Sequence, residues 1–297
     1  MKISFIGLGA MGGPIARRLL AAGFSVRGID LDEQAVARFA QAGGLPASSL
    51  RDAAAGGDVL VIAVQDEKQV EQLVSGGDGV LDAMRADTLV WSLSTVAPCY
   101  IRSLGRRLRD KGLHLVDGPV SGGVQKAESG ELTVMAGCAA SAYERMEPVF
   151  AVCASQVFHV GDVGAGSTFK ALNQLLTASH IALTAETIEL ATRAGLDVEL
   201  LVAIVRQSAG NSVQFEKRAL RMMREDHARH ATVDIFRKDL GIAIGLADDL
   251  GLSIPVAQAA NRVFGEAARL GYGRDSDTRV LEVYRADAPA SGEALAS

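Results

Sequence analysis

A chain of 297 residues, 48% hydrophobic and 22% charged, is long enough for one large folded domain or two moderate ones. Its formal net charge of -5, with Lys and Arg scattered along the chain, argues against a nucleic-acid partner or a membrane surface, since both call for a basic face. Cys99, Cys138 and Cys153 show no CxxC spacing, so they indicate neither a disulfide framework nor a cysteine zinc site and read as buried or half-buried thiols.

The first element is an apolar strand over residues 3–6 that runs into Gly7-Leu8-Gly9-Ala10-Met11-Gly12. In such a turn the first two glycines fold the chain tightly and bring bare backbone N–H groups against a pyrophosphate, and the third allows a helix to pack closely on its strand. Gly7, Gly9, Ala10, Met11 and Gly12 are therefore the expected cofactor-binding turn. The helix behind it carries Ile15, Leu19 and Leu20 on one face, and Pro14 near its start gives up a donor that has no internal partner. A second strand over residues 24–29 then ends on Asp30, close to the offset of roughly 20 residues expected of a ribose-binding acid. A carboxylate there accepts both ribose hydroxyls and repels the extra phosphate of NADP, so NAD is the expected cofactor. Arg27, inside the strand, is the one cation that argues the other way, and the plain alternative for Asp30 is a helix N-cap with Asp32 nearby.

Apolar runs recur over residues 59–64, 89–93 and 113–116, separated by helical spacings such as Val70, Leu73, Val74 and Ile101, Leu104, Leu108. That alternation predicts a parallel sheet covered by helices. Runs over 132–135 and 157–160 extend it, with a helix over 144–150 between them. The glycine-rich stretch from Gly161 to Gly166 marks a division, giving a Rossmann dinucleotide-binding domain over 1–163 and an all-α domain over 164–297. One long helix over 167–194 joins them, with Leu172, Leu175, Leu176, His180, Leu183 and Ile188 as its apolar face and Gly195 as its stop. Further helices are expected over 198–207, 214–224, 233–250 and 255–270, followed by a weakly patterned tail from Ala286. The long helix is too polar to cross a bilayer. The start Met1-Lys2-Ile3 passes at once into strand-like sequence, which points to the cytoplasm.

Three polar clusters sit at expected element ends: Ser94-Thr95 after one strand, Asp117-Gly118-Pro119-Val120-Ser121-Gly122-Gly123 after another, and Lys170 with Asn173 on the long helix. Carboxyl ends of parallel strands are where ligands bind. Gly122 and Gly123 can bare backbone N–H groups and Ser121 adds a hydroxyl, which suits a carboxylate; the plain alternative is a sharp Gly-Pro turn. Lys170 lies in an apolar stretch, where burial disfavours its charge and fits it for proton transfer, and the alternative is a lysine that snorkels to the surface.

In order and spacing these motifs resemble the β-hydroxyacid dehydrogenase family, which includes 3-hydroxyisobutyrate dehydrogenase and tartronate semialdehyde reductase. The resemblance runs over residues 3–284. It is carried by Gly7 to Gly12, by Asp117 to Gly123 and by Gly164-Ala165-Gly166-Ser167-Thr168-Phe169-Lys170-Ala171-Leu172-Asn173-Gln174. The resemblance implies that Lys170 is the general acid/base, that Ser121, Gly122 and Gly123 hold the substrate carboxylate, and that Asn173 orients the hydroxyl. It also implies that Thr95 and Lys238 contact NAD, that the active site lies between the domains, and that the chain forms a homodimer or homotetramer. Within the family, Gly130 to Ala136, Gln174-Leu175-Leu176, Ser208 to Ser212 with Phe215-Glu216, and the segment from Val233 to Leu240 are most similar to L-threonate dehydrogenases. Val213 and Gln214 stand where that subgroup has an aromatic residue and a methionine.

Other readings fit less well. No GxSxG elbow supports a Ser121 hydrolase. His227 and His230 sit among acids and arginines, as on a solvated helix surface, and no metal is expected. A non-catalytic NAD sensor has no use for Lys170 and Asn173, and the related imine reductases usually lack the lysine.

Overall fold

The computed structural model describes residues 1–77, 79–228 and 231–286. The chain forms two compact units, Met1–Lys170 and the residues from Ala171 on. In the first unit, strands and helices alternate as β1 (Lys2–Ile6), α1 (Gly12–Ala21), β2 (Ser25–Ile29), α2 (Glu33–Gln41), β3 (Leu45–Pro46), α3 (Leu50–Ala54), β4 (Val59–Ile62), α4 (Glu67–Ser75), α5 (Val80–Ala83), β5 (Leu89–Ser92) and α6 (Pro98–Asp110). They are followed by β6 (His114–Asp117), β7 (Val120–Ser121), α7 (Gly123–Ser129), β8 (Leu132–Gly137), α8 (Ala140–Cys153) and β9 (Ala154–Gly161).

Among the described residues the sheet runs β3-β2-β1-β4-β5-β6-β8-β7, with β9 also paired to β8. From β3 to β6 all pairs are parallel. Strand order reverses direction at β1, between β2 and β4, and such a switch point opens a ligand crevice at the strands' carboxyl ends. Both later runs join the sheet as expected, but not all in parallel: β8 runs antiparallel to β6 and β7, while β9 pairs parallel with β8. The Gly118-Pro119 turn redirects the chain directly after β6, and the short α7 returns it without crossing the sheet; Met135 N–H bonds the Pro119 carbonyl at 3.1 Å.

Both faces of the sheet are covered, and period-two alternation decides which residue goes where. Ile3, Phe5, Val59, Val61, Leu89 and Trp91 face a core that includes Ile15 and Leu19 of α1 and Met146 and Phe150 of α8. Ile6, Leu60, Ile62 and Val90 face the opposite core, with Val70 of α4 and Ile101, Leu104 and Leu108 of α6. Each fully buried large side chain of this kind contributes about 1.5–3 kcal/mol. Trp91 also packs edge-on against Phe150, ring centroids 5.3 Å apart, and donates its indole N–H to the Gly118 carbonyl at 2.8 Å, fixing the turn after β6.

Across α4 and α6, Glu71 accepts from Tyr100 Oη and Arg107 Nη1, both at 2.9 Å. The Arg107 hydrogen bond, above all, holds the Glu71 carboxyl down at about 2. An acid whose folded pKa is depressed stabilises the fold above its unfolded pKa and loses that contribution as pH falls through the folded value. Glu71→Gln is therefore expected to lower Tm near pH 7 by about 1–3 °C, with the gap closing between about pH 5 and about pH 2. Thermal melts across that range check this, and a gap independent of pH refutes it.

The second unit is helical. It comprises α9 (Ala165–Arg193), whose first residues belong to the first unit, α10 (Val198–Arg206), α11 (Val213–Met223), α12 (Val233–Asp249), α13 (Pro255–Ala267) and α14 (Leu281–Ala286). Its core gathers Ile181, Ala185 and Ile188 of α9 with Phe215, Met222, Phe236, Leu240 and Phe264. The expected apolar face of α9 holds in part: Ile188 is buried and Leu175 packs against the core, whereas Leu172, Leu176 and Leu183 are 51%, 57% and 60% exposed and Ala171, Ala178, Ile181, Ala182 and Ala185 are buried. Small residues let neighbouring helices approach closely, and Leu172, Leu176 and Leu183 stand on the other side. No helix among the described residues is long and apolar enough to cross a membrane.

Cys138 and Cys153 are buried, whereas Cys99 is exposed, contrary to expectation. His227 is also corrected. It lies in the loop after α11 rather than on a helix surface, half-buried, with Nδ1 2.9 Å from Thr278 Oγ1. Burial pulls its imidazole below the ordinary range. His230 and the tail beyond Ala286 lie outside the described residues. Among the described residues no group of three or more His, Cys, Asp or Glu could hold a metal ion.

Candidate active site

The glycine turn fills the switch point. Gly7 has φ +95, and a Cβ there would sit 2.4 Å from the Ala63 carbonyl oxygen, so only glycine lets the turn leave β1 beside the end of β4. At Gly12 a Cβ would fall 2.0 Å from the Gly7 carbonyl oxygen, which is the close helix-to-turn packing expected of the third glycine. A Cβ at Gly9 would meet nothing within 4 Å, and Gly9 and Ala10 are exposed, so bare backbone faces open space. The N-cap of α1, Met11, makes no side-chain bond, and the helix has no acid in its first turn. Orphan N–H groups and a positive dipole end without a capping side chain fit a pyrophosphate.

Asp30 follows β2 and is tied to this turn. Its Oδ2 accepts from Leu8 N–H at 2.5 Å and its Oδ1 from Asp32 N–H at 2.8 Å. Asp32, not Asp30, caps α2, accepting from Gln34 N–H at 2.9 Å, so the plain alternative for Asp30 does not hold. Arg27 is engaged by Asp52 in an ion pair. Thr95 stands half-buried just beyond β5, where the preceding Ser94 hydroxyl donates to the Val64 carbonyl at 2.7 Å.

Lys170, in the second turn of α9, is only 7% exposed, and its Nζ donates to the Val120 carbonyl at 2.8 Å. A snorkelling surface lysine is thereby excluded. Val120 begins the turn Ser121-Gly122-Gly123, whose glycines have φ +136 and +75, so the lysine tip stands at the root of two exposed backbone positions. Ser121 is half-buried and paired with Thr133 on β8. The same loop's Asp117 is buried and bonded to Ser167 and Gly164 at the start of α9.

In the second unit, Asn173, half-buried, donates from Nδ2 to Gln174 Oε1 at 3.0 Å. Gln174, 8% exposed, donates in turn to Asp239 Oδ2 at 2.5 Å, and Asp239 Oδ1 lies 2.8 Å from Lys238 Nζ. One polar chain thus links two expected site residues, Asn173 and Lys238, through two that sequence reasoning assigned no role. The sign of it was local: a glutamine at a core-facing position of α9, and an aspartate directly after Lys238. Gln214 accepts from Arg218, whose guanidinium is held by the fully buried Asp277 at 2.5 and 2.7 Å. Val213 is exposed.

Comparison with known proteins agrees with this geometry. Residues 2–161 match the model of the NAD binding domain of 6-phosphogluconate dehydrogenase. Residues 164–284 match that of the NAD-binding domain of NADP-dependent 3-hydroxyisobutyrate dehydrogenase. An L-threonate dehydrogenase of Cupriavidus necator is 40% identical over 95% of this chain and 96% of its own length. The chain belongs to the β-hydroxyacid dehydrogenase family. A crystal structure of 3-hydroxyisobutyrate dehydrogenase from Salmonella typhimurium superimposes with a TM-score of 0.89 at 38% identity, covering 95% of this chain and 99% of that one. An NAD-dependent L-serine dehydrogenase of Pseudomonas aeruginosa is 34% identical, over 95% of this chain and 97% of its own. The first unit is accordingly a Rossmann NAD-binding domain and the second the family's helical domain.

Proposed function

We propose that this protein is an NAD-dependent dehydrogenase of a small hydroxy acid, most similar in activity to L-threonate dehydrogenase, with Lys170 as general acid/base. The observation that carries the reading is the buried Lys170 side chain, whose Nζ is held at the root of the Ser121-Gly122-Gly123 turn. In this reading the Ser121 hydroxyl and the backbone N–H groups of Gly122 and Gly123 bind the substrate carboxylate. Asn173 orients the hydroxyl that reacts. Lys170 Nζ, in its neutral form, takes the hydroxyl proton and returns it when the reaction runs towards reduction. NAD, held by the turn from Gly7 to Gly12 with Asp30, Thr95 and Lys238, supplies the hydride acceptor. We keep 1–163 and 164–297 as the functional division, which the break between the two matched models supports.

The expected dimer or tetramer is supported by α9, where Leu176, Leu183 and Leu190 recur every seventh residue at 57–68% exposure. A second copy of the chain would cover that stripe.

The test is NAD reduction with a panel of L-threonate, D-glycerate, 3-hydroxyisobutyrate and 4-hydroxybutyrate. L-threonate is expected to give a kcat/KM at least about 10-fold above the others, the scale on which a single missing polar group or methylene discriminates. Because Gln214 is committed to Arg218 rather than filling the place of a methionine, a different acid leading the panel would revise the substrate and keep the reaction class. Turnover of none of them would remove the dehydrogenase reading.

A further inference from the structure

The turnover chemistry assigns nothing to Asp117, yet α9 begins on it. Gly164, directly before the helix, has φ +101, and a Cβ there would meet the Arg102 side chain at 2.6 Å. The position that ordinarily supplies a capping side chain therefore has none. The cap comes from the end of β6 instead. Asp117 Oδ2 accepts from the N–H groups of Gly164 and Ser167, both at 2.9 Å, and Oδ1 accepts from Ser167 Oγ at 2.6 Å. Gly166 permits this approach, since a Cβ there would lie 2.1 Å from the Asp117 carbonyl oxygen and 2.4 Å from that of Met135. Three residues beyond Asp117, the same loop offers the Val120 carbonyl to Lys170 Nζ. One loop thus holds both the first turn of the helix and the tip of its lysine.

We propose that Asp117 is a positioning residue for Lys170: capping α9 from outside the helix, it fixes the rotation and height of the first turns and so aims Nζ at the Ser121 turn. The proposal rests on Lys170 being the proton-transfer group. Burial pushes the Asp117 carboxyl above its ordinary range, while three donors and Arg102 pull it back. An acceptor at this point is obligatory, because two buried backbone N–H groups and a hydroxyl converge on it.

Asp117→Ala, Asp117→Asn, Ser167→Ala and Lys170→Ala test this through kcat and KM, measured well below each variant's Tm, and through amide hydrogen exchange over residues 164–170. Asparagine is close to isosteric: its carbonyl oxygen can accept both N–H groups, and its amide can donate to Ser167 Oγ. Asp117→Ala is expected to lower kcat about 100-fold, the scale of a misplacement of about 1 Å, and to speed exchange. Ser167→Ala, which removes one donor, is expected to cost about fivefold in kcat and carries the test if Asp117→Ala does not fold. Asp117→Asn should stay within about fivefold of wild type, and KM for NAD should change by less than about twofold in all three. That loss in kcat with rescue by asparagine is what a merely structural cap would not produce. If both alanine variants keep their kcat while Lys170→Ala is inactive, the positioning role falls and the lysine's role stands. An asparagine variant as slow as the alanine one also overturns positioning by hydrogen bonding. An active Lys170→Ala removes both.

Discussion

Replacing Lys170 with alanine is expected to lower kcat by about 100-fold to 10,000-fold while the NAD dissociation constant stays within about twofold of wild type. The size follows from what general acid/base catalysis contributes, and the split from where the side chain points. Nζ is bonded to the Val120 carbonyl, beside the Ser121 turn. Folding should tolerate the change, because the Val120 carbonyl that the lysine bonds has a second lone pair and the helix keeps its Asp117 cap. Lys170→Arg is expected to be nearly as slow, since a guanidinium stays protonated and cannot take the hydroxyl proton. Steady-state rates with L-threonate, together with titration of NAD by fluorescence or calorimetry, check both halves. Turnover within a few fold of wild type would sink the role of Lys170. Weakened NAD binding at unchanged kcat would move it to the cofactor.

How much of this was legible beforehand depended on the range over which the physics acts. The turn from Gly7 to Gly12, β2 and Asp30 lie within thirty residues, and their spacing reflects the geometry of one βαβ unit, so pattern alone located them. The burial of Lys170 was not legible in this way. It depends on β7 and the loop after β6, fifty positions away in the chain, and spacing on α9 could not distinguish a snorkelling lysine from a buried one. The same distance hid the Asp117 cap. Leu172, Leu176 and Leu183 of α9 turn outward for a different reason: hydrophobicity marks a stripe at helical spacing, but the side that packs is set by which residues let a neighbouring helix approach, and there alanines prevail beside Leu175 and Ile188. His227 was misread through its charged neighbours, which face solvent, while its own ring turns to Thr278.

The second large effect concerns the choice of dinucleotide: kcat/KM is expected to be at least about 100-fold higher with NAD than with NADP, the scale of a like-charge juxtaposition costing several kcal/mol. Arg27, the one residue that argued otherwise, is paired with Asp52 and so is already neutralised. Around the end of β2 stand Asp30, Asp32 and Glu33, and the nearby Arg38 lies 3.6 Å from Asp32 Oδ2. A 2′-phosphate would meet carboxylates without a cation of its own. Asp30 also has a structural duty, because Leu8 N–H and Asp32 N–H both end on its carboxylate, so its removal should loosen the glycine turn and weaken NAD as well. Asp30→Ser alone is therefore expected to reduce efficiency with NAD and to narrow the preference to within about tenfold, rather than invert it. Inversion should need a cation, and Leu31, whose side chain is fully exposed directly after Asp30, is the position to supply it. Asp30→Ser combined with Leu31→Arg is expected to favour NADP, since arginine can bind a phosphate through two parallel N–H bonds. Initial rates with both cofactors, for wild type and for the two variants, decide the matter. Equal efficiency of the wild type with NAD and NADP would show that the carboxylate at the end of β2 does not select the cofactor.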